Sequence, residues 1–223
     1  MADVEFFWDP VCPFAWITSR WVVKVAEQRG YDVDWRFISL RLLNRDRDYE
    51  AEFPEGYHNA HTQGLRLLRV AAAVRAEVGR EPMGALYTRF GEHIWDRRPE
   101  DVDGRLGAIA DLATASVPAV LGELGLPERL AAALDDESWD EPLQAETDEA
   151  LSRAGDDVGT PILTFEPPDG VSFFGPVISR VPSDEDALRL WDAVLELARW
   201  PGFSELKRSL REMPQLPVLG ADS

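Results

Sequence analysis

Cysteine is nearly absent: Cys12 is the single example in 223 residues. One thiol cannot close an internal disulfide, and no multi-cysteine zinc site can be built from it. Lysine is scarce too, with only Lys24 and Lys207 among 23 basic residues. Positive charge is in deficit overall, 23 bases facing 41 carboxylates, for a formal net charge of −18. A field of that sign repels phosphate backbones and excludes nucleic acid as an expected partner. No apolar run has the length needed to span a bilayer, so no membrane association is expected. Residues 1–7 lack a basic stretch followed by an apolar one, so no secretion signal is expected and a cytoplasmic location is the default. Of the three histidines, His58 and His61 are spaced i, i+3 with no third ligand evident. They read as surface or cap residues rather than as a metal site, and His93 reads as structural.

Apolar residues make up 45% of the chain, enough for one large domain or two small ones. The acidic excess is concentrated at 135–157, where ten carboxylates accompany one base, Arg153. Such a run reads as a solvated, self-repelling surface or as an acidic docking patch. Residues 4–8 (VEFFW) have strand character, ended by Asp9-Pro10. A helix is predicted over 13–28 with Gly30 as its C′ residue, and 33–38 alternates as a second strand. The middle of the chain, 66–78, 83–94, 106–115, 128–134 and 143–153, is helical in spacing and without convincing strands. Strand character returns at 161–165 and 171–174, separated by the turn Pro167-Pro168-Asp169-Gly170. Ser183 caps a helix over 184–199, and a last short helix is expected over 203–211. The order βαβ, helices, ββα predicts an α/β protein with a thioredoxin-like fold and an inserted all-helical domain. The expected boundaries are 1–45 with 156–211 for the thioredoxin-like domain, 46–155 for the insertion and 212–223 for a tail.

Cys12 follows the first strand, and Pro13 fits the first position of the helix, where a missing N–H is harmless. The sulfur is thus expected at a helix N-terminus, among unpaired backbone N–H groups and the positive end of the dipole. That setting favours the thiolate, the form that attacks disulfides and electrophiles. The alternative is a buried, inert cysteine. Gly159-Thr160-Pro161 opens the third strand. A cis bond before Pro161 would present the Thr160 backbone to an extended peptide or a thiol-bearing ligand.

The segment from Phe7 to Trp21, FWDPVCPFAWITSRW, resembles the active-site segment of DsbA-like thioredoxin-fold proteins. More narrowly, it is similar to that of the mycothiol-dependent nitroreductase family. The resemblance continues at Ser39-Leu40, Leu43-Asn44, 157–161, 173–177, Leu190-Trp191-Asp192 and 203–208. It implies a redox enzyme that draws electrons from mycothiol or another low-molecular-weight thiol, uses no metal, and reduces a disulfide or a small electrophile such as a nitro compound. It implies Cys12 as the nucleophile, with Phe14, Asn44 and Tyr57 facing the pocket beside Pro13, Thr160 and Pro161. Ala15 departs from the family pattern, which has a second cysteine there. Dithiol exchange within one site is thereby excluded, and a monothiol route remains. A kappa-class-like transferase or isomerase using bound thiol as cofactor is an alternative. A non-catalytic binding module or chaperone is another, and monomer and homodimer both stay open. Asp9 is a candidate proton relay or a loop cap. Trp8, Trp16 and Trp21 read as core or as a stacking wall, Trp191 and Trp200 as core, and Arg20 as a ligand contact or a surface ion pair.

Overall fold

A computed structural model describes residues 2–98, 106–210 and 212–220. The first strand, β1 (Val4–Trp8), is almost wholly buried, as a central strand of β-branched and aromatic residues should be. It feeds helix α1 (Pro13–Arg29), and Gly30 ends that helix with φ +70°, its N–H returning to Ala26 O at 2.8 Å. Strand β2 (Val33–Phe37) then pairs parallel to β1, completing the βαβ unit. Strand β3 (Ile162–Phe165) pairs antiparallel to β1, and β4 (Ser172–Phe174) antiparallel to β3, giving the sheet order β2-β1-β3-β4. Helix α9 (Asp184–Arg199) closes the ββα half and packs on α1, its cap Ser183 accepting from Asp186 N. This is the thioredoxin-like order, with an all-helical insertion between β2 and β3.

The insertion contains α2 (Leu40–Leu43), α3 (Tyr49–Glu52), α4 (Tyr57–Val78), α5 (Met83–Trp95), α6 (Leu106–Ala115), α7 (Val117–Glu123) and α8 (Asp140–Ala154). One apolar core runs through both parts: Phe6, Trp8 and Trp35 of the sheet meet Tyr87 of α5, with the Trp8 and Tyr87 rings stacked at 4.1 Å. Three expectations need correction. The helical segment expected at 128–134 is a 3₁₀ helix, Glu128–Asp135, rather than an α-helix. The segment 203–210 carries no helix (residue 211 lies outside the described residues), and Leu206 and Leu210 are more than 80% exposed. An eight-residue segment with no apolar face buried cannot offset the cost of helix nucleation. Trp200 is likewise exposed rather than in the core, whereas Trp8, Trp16, Trp21 and Trp191 are all core residues.

The acidic run is also more than a solvated face. Glu146 on α8 is buried and accepts from Arg36 Nε at 2.5 Å, from Phe37 N at 3.1 Å and from both terminal nitrogens of Arg75. Asp140 takes a two-pronged bond from Arg69, both contacts at 2.7 Å. These pairs dock α8 onto β2 and α4. Among the described residues no helix is long and apolar enough to cross a membrane.

Candidate active site around Cys12

The end of β1 and the start of α1 hold the sulfur where the sequence places it. Cys12 caps α1, and its Sγ accepts from Ala15 N at 3.4 Å. The Thr160–Pro161 bond is cis, and Cys12 Sγ–H donates to Thr160 O at 3.4 Å. Thr160 also bonds back to the end of β1, its hydroxyl donating to Phe7 O at 3.5 Å. Cys12, Pro13, Ala15, Thr160 and Pro161 are thus one cluster, with Phe14 half-buried beside it.

The ionisation differs from the expectation. Cys12 is only 7% exposed. Burial pushes its thiol up to about 12, the Ala15 N–H opposes that, and the nearby Asp9 carboxylate adds to it. In this arrangement the sulfur is a neutral thiol that donates a hydrogen bond. A helix N-terminus alone does not make a thiolate when the site is dry.

Asp9 is fully buried and serves as a loop cap: Oδ1 accepts from Val11 N at 2.9 Å and Oδ2 from Leu40 N at 2.8 Å. Desolvation raises its pKa to about 7, against the pull of those two N–H bonds. The same Leu40 links Asn44 to the site, because Asn44 Nδ2 donates to Leu40 O at 2.8 Å. Tyr57 stands at the start of α4 on one stripe with His61 and Gly64. A Cβ on Gly64 would lie 2.8 Å from both Asp9 Oδ1 and Val11 Cγ2, so the backbone of α4 is pressed directly on the cysteine loop. The Tyr57 ring packs with Phe53 and His61. His61 is buried, shares a 2.9 Å hydrogen bond with the Tyr49 hydroxyl, and has its pKa lowered to about 4 by desolvation. It is therefore not the surface or cap residue expected.

Tyr87, Ser19 and Thr88 bear on the site without any mark in the sequence. The Tyr87 ring lies between Trp8 and Trp16, with its hydroxyl beside Ser19 but in no hydrogen bond of good geometry. Arg20 spreads over Trp16 at 4.1 Å and donates to Ser19 and Thr88 hydroxyls. Its contacts are hydroxyls and an indole face, not the surface ion pair expected. Only the tertiary fold brings α5 to α1, so no local pattern could have marked Tyr87. A cavity of about 290 Å³ and another of about 410 Å³ open elsewhere, and neither is lined by Cys12, Asn44, Tyr57 or Thr160.

The family model described as mycothiol-dependent nitroreductase Rv2466c matches residues 11–208, beginning one residue before the cysteine and ending in the exposed 203–210 segment. The chain belongs to this Rv2466c-like family. A Mycobacterium tuberculosis relative, the uncharacterized protein Rv2286c, is 31% identical over 212 residues, spanning 93% of this chain and 82% of the relative. Among solved structures, a 2-hydroxychromene-2-carboxylate isomerase superposes with a TM-score of 0.54 at 17% identity, covering 88% of this chain and 96% of that one. The cytosolic disulfide reductase DsbM from Pseudomonas aeruginosa gives 0.48 at 20% identity, covering 87% and 99%. Ala15, where the resemblance leads one to expect a second cysteine, is fully buried, and its N–H holds the sulfur.

Proposed function

We propose that the protein is a thiol-dependent oxidoreductase in which Cys12 works by a monothiol route, with mycothiol as the small thiol. The observation that carries this reading is the meeting of Cys12 Sγ with Thr160 O across the cis Thr160–Pro161 bond, in a chain of the Rv2466c-like family. In the proposed cycle the Cys12 thiol gives up its proton, and the thiolate attacks one sulfur of a disulfide. A mixed disulfide forms and one thiolate leaves. A small thiol then attacks the substrate sulfur of the mixed disulfide, releasing Cys12 and leaving joined to that sulfur, and a second small thiol frees the substrate thiol as the two small thiols become a disulfide, so two electrons pass from two thiols to the substrate. Asp9, whose charge bears on the Cys12 thiol and whose pKa is raised to about 7, would take up that proton. A nitro compound would draw the same two electrons from two thiols, yielding nitroso product, water and disulfide. Asn44 supports this role through Leu40, whose N–H is bound by Asp9, and Tyr57 is tied to the loop only through the α4 stripe that carries Gly64.

The buried neutral thiol favours a second reading on the same site. In a transferase or isomerase, bound thiol would do the chemistry, and Cys12 would stay protonated and orient it. Incubation with oxidised mycothiol followed by intact-mass measurement separates the two. A single mixed-disulfide adduct, absent in Cys12→Ser, together with loss of turnover in that variant, is the expected result. No adduct, with thiol-dependent turnover retained in Cys12→Ser, would replace the first reading by the second.

A further inference from the structure

The turn that carries Cys12 has its polar groups answered from several sides. Asp9 O accepts from Cys12 N at 3.2 Å, and the Asp9 carboxylate accepts from Val11 N and from Leu40 N of α2. Pro10 has no N–H to place, but the residue is buried and its carbonyl needs a donor. Trp95, the last residue of α5, supplies one: Nε1 donates to Pro10 O at 3.1 Å, and the side chain is buried. The bond joins residues 85 apart in sequence. It ties the helical insertion to the backbone just before the sulfur.

The rest of α5 aims the indole at that carbonyl. Tyr87, Gly91 and Trp95 follow one another at i, i+4 spacing, so they share a face of the helix. Tyr87 stacks on Trp8 at the end of β1. A Cβ on Gly91 would lie 2.1 Å from the Trp16 ring, so the absence of a side chain lets the helix backbone close on the start of α1. One stripe thus crosses the strand end, the turn and the helix start, and Trp95 finishes it with a directed bond. Burial is what keeps the Cys12 sulfur a thiol that donates to Thr160 O. A turn free to shift would admit water to the N-terminus of α1, where the dipole and the backbone N–H groups favour thiolate.

We propose that Trp95 is a positioning residue for Cys12: through Nε1 and Pro10 O it holds the turn so that the sulfur stays against Thr160 O and out of water. Its bearing on turnover rests on Cys12 being the nucleophile, but the test needs neither a disulfide nor a small thiol. The rate of Cys12 alkylation by iodoacetamide is measured between pH 6 and pH 9 by intact mass on the full chain, with a urea midpoint for each variant. Trp95→Phe should raise the rate roughly tenfold at pH 7, the change expected when solvent lowers a thiol pKa by about one. Trp95→β-(3-benzothienyl)alanine keeps the shape of the ring and lacks the N–H. It should raise the rate roughly threefold or more, the factor one hydrogen bond gives. Trp191→Phe makes the same ring change where the side chain packs on Trp21 and Phe165, and should lower the urea midpoint while leaving the rate alone. The titratable groups that bear on the sulfur, Asp9 and the Tyr87 hydroxyl, are present in all three variants. A wild-type rate in either Trp95 variant would overturn the proposal. So would equal acceleration in Trp191→Phe, which would assign the effect to general loosening of the core. The benzothienyl variant decides even if Trp95→Phe fails to fold. Failure of Cys12 to form a mixed disulfide, with these rate differences intact, would overturn the monothiol route and leave the role of Trp95 standing.

Discussion

Cys12 lies between two opposing influences. The N–H groups of α1 favour the thiolate, whereas burial and the Asp9 carboxylate favour the thiol, and burial wins, placing the group at about 12. Alkylation by iodoacetamide should therefore quicken steadily from pH 6 to pH 9 without levelling, since the rate follows the thiolate fraction. A plateau with its midpoint below about pH 8 would contradict the buried thiol. Asp9→Asn removes the like charge and should speed alkylation at any pH where Asp9 is ionised. Asp9 itself has a folded pKa of about 7, above its ordinary 3.8. A raised value means that its contribution to stability is complete below pH 4 and is lost as pH rises toward 7. Measured by urea midpoints, wild type should lose ground to Asp9→Asn across that window; a constant difference would show that Asp9 does not titrate there. Tyr87→Phe keeps the stack on Trp8 and removes a buried hydroxyl without a well-formed bond. It should leave stability unchanged or raise it by up to ~1 kcal/mol, where deletion of a satisfied hydroxyl would cost about that much.

At the scale of elements, α8 is held by buried charge as well as by the apolar contacts of Leu143 and Ala150. Glu146 receives Arg36, Arg75 and the Phe37 N–H, and these partners hold its pKa below the ordinary value despite the burial. Its depressed pKa makes the sign opposite to that of Asp9: the stabilisation is present above the unfolded pKa and is lost as pH falls through the folded one. Glu146→Ala leaves Arg75 without its carboxylate, Arg36 with only Glu5 and Glu149, and the Phe37 N–H without its acceptor, and should cost ~1–3 kcal/mol, read from chemical denaturation at neutral pH. A loss below ~1 kcal/mol would mean that water replaces the carboxylate. No local pattern marks this role, because Glu146 stands amid carboxylates that are mostly solvated, and its partners are 71 and 110 residues away. Elements governed by local chemistry were readable. Pro13, Gly30 and Ser183 mark helix ends, and Pro167 to Gly170 mark the hairpin. So was the core of the site, since Cys12 and Thr160-Pro161 punctuate the ends of their strands. Elements governed by packing were not. α4 begins at Tyr57, nine residues before the apolar pattern does, because its first turns are polar and include Gly64. The His61–Tyr49 pair and the Tyr87 wall arise from contacts between segments that no periodicity relates.

Charge on the whole molecule sets one further expectation. The surplus of carboxylates is 18, and the ion pairs leave much of it unpaired on the surface. Like charges repel across the folded chain, and the unfolded chain relieves that repulsion by expanding. Salt acts on both sides: it screens the repulsion and also weakens exposed pairs such as Arg129–Glu77. Exposed pairs contribute only ~0–1 kcal/mol each. The strongest pairs, those of Glu146, are buried and are screened least. Relief of repulsion should therefore dominate, and the melting temperature should rise on going from about 10 mM to about 500 mM sodium chloride, most of the gain falling where the Debye length shrinks from ~30 Å to below 10 Å. Thermal unfolding followed by circular dichroism at pH 7.5 measures it. A melting temperature that falls over that range would mean that exposed ion pairs, not burial and the shielded Glu146 cluster, hold the helical insertion on the sheet.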